Sequence, residues 1–151
     1  MTGDDEAIAR ALYPALRRFA AVVSPGEADD LVQHALVKVL AKHRLADLDH
    51  PSGYLRTAIV RAASNERRDG WRRRRRERAV AARESAVAEY PSDLDDLLQL
   101  RADDRAVLFL AEVERLPYAE VAEILGCSED AARTRASRAR RQLRAELVEE
   151  R

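Results

Sequence analysis

The chain has 151 residues, of which 46% are hydrophobic, 36% charged and only 5% aromatic, and its 27 basic side chains equal its 27 acidic ones. That length holds one domain or two small ones, with a core built from Ala, Leu and Val rather than from aromatics. A single cysteine, Cys127, excludes an internal disulfide, and the scarcity of Gly and Pro together with the lack of an alternating apolar pattern predicts an all-α protein.

Residues 1–5 read as disordered. Ile8, Leu12, Leu16 and Phe19 then follow helical spacing, with Ala11, Ala15 and Ala20 beside them. Pro14 falls inside this pattern, and the sequence leaves open whether it kinks one helix or starts a second. Ser24-Pro25-Gly26 is a turn. Glu27, Asp29 and Asp30 open the next helix, whose buried stripe is predicted as Leu31, Ala35, Leu36, Val39 and Leu40. Asp30, Gln33, His34, Val37 and Lys38 point away from that stripe. Residues 45–53 read as a loop punctuated by Pro51, Ser52 and Gly53. A third helix begins near Tyr54, with Leu55, Ala58, Ile59 and Ala62 on its apolar side.

That helix runs into a basic segment. Residues 67–78, RRDGWRRRRRER, hold eight arginines against Asp69 and Glu77. Trp71, among these cations, is equally suited to stack on a base or to cover the apolar end of a bundle. The balancing acids are concentrated elsewhere: seven lie between residues 84 and 104, against Arg101 alone. Zero net charge therefore conceals local basic surfaces separated by an acidic connector. Ser92 or Asp93 caps the next predicted helix. Leu94, Leu97 and Leu98, then Ala106, Val107, Leu110 and Val113, supply two helices that pack beneath the last unit.

That last unit, residues 116–147, reads as two helices around a tight turn. Pro117 opens the first helix, Val121, Ala122 and Leu125 form its stripe, and Gly126 stops it. Cys127 sits in the turn as a small buried packing residue, and Ser128 caps the second helix, with Glu129 and Asp130 in its first turn. On a helical wheel Ala132, Ala136, Ala139, Leu143 and Leu147 share one face. Thr134, Ser137, Arg138 and Arg141 fall opposite, flanked by Arg133, Arg135, Arg140 and Arg144. A helix stop, a cap, a small-residue face and a polar face mixing Thr, Ser and Arg together favour a DNA-reading helix-turn-helix over an ordinary solvated basic helix.

The organisation expected is therefore a helical domain at 6–78, an acidic linker at 79–93 and a helix-turn-helix domain at 94–148. With both halves in view, the chain resembles a bacterial RNA polymerase sigma factor of the extracytoplasmic-function (ECF) group. EADDLVQHALVKVL resembles the family's region 2 helix that grips the clamp of the polymerase β′ subunit. HPSGYLRTAIVRAASNERRDGWRRRRR resembles the segment that melts and reads the −10 promoter element. LPYAEVAEILGCSEDAARTRASRAR resembles region 4, which reads the −35 element.

The resemblance implies that Arg133, Thr134, Arg135, Ser137, Arg138 and Arg141 face −35 DNA. It implies that Tyr54, Thr57, Arg61, Asn65, Arg68 and Trp71, with the loop 43–53, serve the −10 element. Asp30, Gln33, His34, Val37 and Lys38 would face the polymerase. Its implied partners are core RNA polymerase (β′ clamp and β flap), promoter DNA and an anti-sigma factor, with a monomer when free. Arg61 stands where many members carry Asn, Leu40 where an aromatic is common, and Ser137 where some place a larger side chain.

The competing expectation is a dimeric helix-turn-helix transcriptional regulator, which accounts for 94–148 but not for the second basic segment or the DLVQ helix. An enzyme is disfavoured. His34, His43 and His50 lack ligand spacing, there is no Gly-rich phosphate loop, and no nucleophile elbow is present, so no metal or cofactor is expected. No apolar run approaches about 18 residues and the N-terminus is acidic, so a soluble, cytoplasmic protein with no leader is expected. The sequence ends soon after the helix-turn-helix, so no added C-terminal regulatory domain is expected.

Overall fold

The computed structural model describes residues 1–68 and 99–149, excepting the side chains of 66–68, 147 and 149. The acidic linker, the arginine run beyond 68, Trp71 and the stripe Leu94–Leu97–Leu98 lie outside the described residues. Everything regular among the described residues is helical.

Helix α1 spans Gly3–Val23 without a break. It begins earlier than the sequence suggested. The Thr2 side chain caps it by accepting the Asp5 N–H at 3.4 Å, and the Thr2 hydroxyl donates to the Asp5 carboxylate at 2.9 Å. Asp4, Asp5 and Glu6 sit in the first turn, where the helix dipole favours acid. Asp5 is buried and also accepts the Ala46 N–H at 3.2 Å, so residues expected to be disordered are tied to the next loop. Pro14 neither kinks α1 apart nor starts a second helix. A mid-helix proline costs roughly 3 kcal/mol, and burial of Leu16, Phe19, Ala20 and Val23 against the other helices outweighs it.

Helix α2 spans Ala28–Leu40. Its buried face is Leu31, Val32, Ala35 and Val39, while Leu36 and Leu40 are only half-buried. The face is rotated from the predicted stripe because α2 packs against α1 and against a third helix at once. A single 3-10 turn, Leu45–Asp47, interrupts the expected loop and inserts Leu45 fully into the core. Helix α3 spans Pro51–Arg68, three residues earlier than predicted. Pro51 occupies a first-turn position, where its missing N–H removes no helix bond.

Helix α4, Ala102–Leu108, leads into a wide π-turn, Phe109–Val113. The extra residue per turn rotates Val113 outward, leaving it 66% exposed where the spacing placed it in the core. Ala106, Val107 and Leu110 are buried as expected. Helix α5, Tyr118–Leu125, ends at Gly126 in the left-handed conformation (φ 67°). Helix α6 runs from Glu129 to Glu149. Cys127 is half-buried against the core rather than fully enclosed.

One hydrophobic cluster joins the two halves. It runs from Leu16, Phe19 and Ile59 through Val107 and Leu110 to Val121, Ala132 and Ala136. Phe19 and Phe109 pack with ring centroids 6.1 Å apart. Polar contacts reinforce this seam. Arg105, almost fully buried, donates to the carbonyls of Val22 (2.8 Å) and Val23 (3.3 Å) at the end of α1, and to Leu100 within its own half (2.5 Å). Arg56 of α3 pairs with Glu114 at 3.2 Å.

Candidate nucleic-acid interface

The α5–turn–α6 unit is built as its residues dictate. The Cys127 N–H closes the α5 terminus on the Ala122 carbonyl at 3.0 Å. The Ser128 hydroxyl accepts the Ala131 N–H at 3.1 Å, supplying the cap that starts α6. Ala132, Ala136 and Ala139 are completely buried, so α6 lies close against its neighbours. Thr134, Ser137, Arg138 and Arg141 are exposed on the opposite side, as are Arg133 and Arg144, while Arg135 is half-buried.

Several of these cations are braced from other elements. Arg133 bonds Glu129 at 2.6 Å and lies over the Tyr118 ring, 4.9 Å from its centroid. Arg138 pairs with Asp104 of α4 at 3.1 Å. Arg140 donates Nε–H to Glu112 at 2.8 Å and Nη2–H to the Tyr118 hydroxyl at 2.6 Å. The Glu112 bond, opposed in part by desolvation and aided by Tyr118, raises the Arg140 pKa further. Asp104, Glu112 and Tyr118 were not singled out for this role from the sequence. In the sequence Asp104 is only one of the acids between residues 84 and 104, and a single-helix wheel says nothing of partners on other helices.

On α3, Tyr54, Thr57, Arg61 and Asn65 are spaced to share one face. Tyr54 is 50% exposed and meets His43 edge-on, ring centroids 5.5 Å apart. Arg61 and Asn65 are exposed. Thr57 is half-buried, and its hydroxyl donates to the Gly53 carbonyl at 3.0 Å, leaving its oxygen as an acceptor. The Arg68 side chain and Trp71 lie outside the described residues. On α2, Asp30, Gln33, His34, Val37 and Lys38 are all exposed on one side, Val37 by 69%. The surfaces on α2, α3 and α6 are thus three separate helix faces rather than one pocket. Among the described residues no His, Cys, Asp and Glu group is arranged to hold a metal ion.

Family models for sigma-70 region 2 and sigma-70 region 4 match residues 6–77 and 97–143. A solved structure of the sigma factor RpoE in complex with the anti-sigma factor NepR from Bartonella quintana is 30% identical, with a TM-score of 0.69, covering 99% of this chain and 100% of that one. The chain belongs to the sigma-70 family. It is an ECF sigma factor. Among curated proteins, none matches.

This sigma factor directs promoter-specific transcription by RNA polymerase. It acts by binding and is not an enzyme. The dimeric-regulator reading is not favoured, because the region 2 match occupies the half of the chain which that reading leaves unexplained. No described helix of the sigma factor is long and apolar enough to cross a membrane.

Proposed function

We propose that residues 6–78 act as the polymerase-binding and −10 domain, 79–93 as a linker and 94–148 as the −35 domain of this sigma factor. The observation that carries this reading is the exposure pattern: most of the described side chains assigned to partners are exposed, on three different helices whose opposite faces are buried. On α6, Arg133, Thr134, Arg135, Ser137, Arg138 and Arg141 enter the major groove, where arginine forks read guanine edges and the remaining cations hold phosphates. Tyr54, Thr57, Arg61, Asn65 and Arg68 of α3, together with Trp71, capture an extruded −10 base. Extrusion costs a few kcal/mol, returned by stacking and hydrogen bonds. The T-shaped His43–Tyr54 pair supports this, since it holds an exposed aromatic face at the head of α3.

Asp30, Gln33, His34, Val37 and Lys38 of α2 dock on the β′ clamp, and the region 4 domain docks on the β flap. The protein works in the cytoplasm as a monomer when free. The similarity to RpoE, solved with its anti-sigma factor NepR, supports an anti-sigma partner for this chain too. The test combines the purified protein with sigma-free core polymerase on promoter DNA and maps unpaired thymines by permanganate. Reactivity near −10 that needs both components supports the reading. Duplex binding by the protein alone, with no polymerase complex, would reject it.

A further inference from the structure

We propose that Asp104 is a positioning residue for promoter recognition, setting −35 base preference through Arg138. The inference rests on the assignment of Arg138 to the −35 element. The ion pairs at Arg133–Glu129 and Arg17–Asp29 have both partners about half exposed, as solvated surface pairs do. The Arg138–Asp104 pair is different in kind: the Asp104 side chain is 3% exposed and that of Arg138 54%. One end is a buried side chain on α4, and the other belongs to the exposed face of α6. A buried carboxylate holds its partner strongly, because losing it leaves an uncompensated charge.

The geometry suits base reading rather than phosphate clamping. A guanidinium has five N–H donors in one plane. Asp104 engages Nη2 at 3.1 Å, which fixes the orientation of that plane and leaves the other donors free to point outward. Guanine recognition needs two coplanar N–H groups aimed at O6 and N7, so a guanidinium held at one edge approaches a base with fewer rotamers to lose. The carboxylate behind it also offsets its charge, which weakens indiscriminate attraction to phosphates. Asp104 therefore favours discrimination at the expense of bulk affinity.

The experiment reconstitutes holoenzyme from core polymerase and full-length protein and selects bound fragments from a promoter library randomised across the −35 element. Sequencing gives base preference at each position. Asp104→Asn should reduce preference about two- to tenfold at the position read by Arg138, the factor that corresponds to immobilising one long side chain. Non-specific binding should hold or rise, and the melting temperature should change little. In an Arg138→Ala background the Asp104→Asn change should have no further effect. Arg138→Lys, which keeps the charge but loses the fork, should resemble Arg138→Ala. Asp104→Asn preferences matching the wild type at every position would overturn the proposal. So would a uniform loss across all sequences that tracks a lower melting temperature. If Arg138→Ala itself leaves preferences unchanged, the assignment of Arg138 fails and this inference fails with it.

Discussion

Replacing Arg105 by Met tests how the two halves of the protein are held together. The last carbonyls of any helix lack intrahelical donors, and the C-terminus carries about half a negative charge. At the end of α1 the Arg105 guanidinium answers both problems, donating to Val22 and Val23 across the seam while a third N–H anchors it to Leu100. Hydrogen bonds from a charged donor contribute roughly 1.5–3 kcal/mol each. With two cross-seam bonds lost, partial rehydration of the Val22 carbonyl and retained packing by the Met chain, the expected loss is about 3–5 kcal/mol. Total stabilities run only to about 5–15 kcal/mol, so the melting temperature should fall by about 10 °C. Urea unfolding followed by helical circular dichroism measures this directly. Arg105→Lys should recover less than half, because an ammonium keeps the charge but cannot reach three divergent carbonyls. A loss below about 1 kcal/mol for Arg105→Met would show that water satisfies those carbonyls and that the clip is incidental.

Gly126→Ala should destabilise by about 1 kcal/mol in the same assay; nothing lies within 4 Å of the added Cβ, so the whole effect would come from the left-handed φ of 67°. The acid limb of stability should carry a signature of two carboxylates. Burial alone would raise Asp5, but bonds from the Ala46 N–H, Thr2 and neighbouring backbone outweigh it and hold its pKa below the ordinary 3.8. The Tyr13 hydroxyl bond, with Arg17 beside it, holds Asp29 below 3.8 as well. Both groups contribute stability that is complete above the unfolded value and fades as pH falls through the lowered folded values. Asp5→Asn and Asp29→Asn should each flatten that decline in an acid titration, and an unchanged profile would remove these groups as its cause. Tyr13, raised above 10.0 chiefly by its bond to Asp29, contributes stability that is present below 10.0 and disappears as pH rises through the raised value. Tyr13→Phe should therefore lose that alkaline transition.

The parts of this protein that were legible in its sequence are those set by local spacing. The alanine face of α6, the Gly126 stop and the Ser128 cap depend on residues within a turn or two of one another, and the structure reproduces each of them, with Leu143 half-buried at the edge of that face. The order at the N-terminus was legible too, in the Thr2-x-x-Asp5 pattern of a reciprocal cap, but three acids and a glycine near a terminus resemble a tail. Val113 was misplaced because a π-turn shifts helical phase without a distinctive residue. The braces were not legible at all. Asp104 and Arg138 are 34 positions apart, and Arg105 meets Val22 across 83; only the folded arrangement of helices brings such pairs together.

The −10 and −35 elements are separated by about 25 base pairs, which at about 3.4 Å each is about 85 Å of duplex. A compact chain of 151 residues has a radius of gyration of about 15 Å and so reaches across only about 40 Å. A body in which Phe19 packs on Phe109 and Ile59 shares a cluster with Val121 is too short to touch both elements at once. With the two halves assigned to −10 and −35 as proposed, the seam between them would have to part on the promoter, uncovering the apolar surface it now hides.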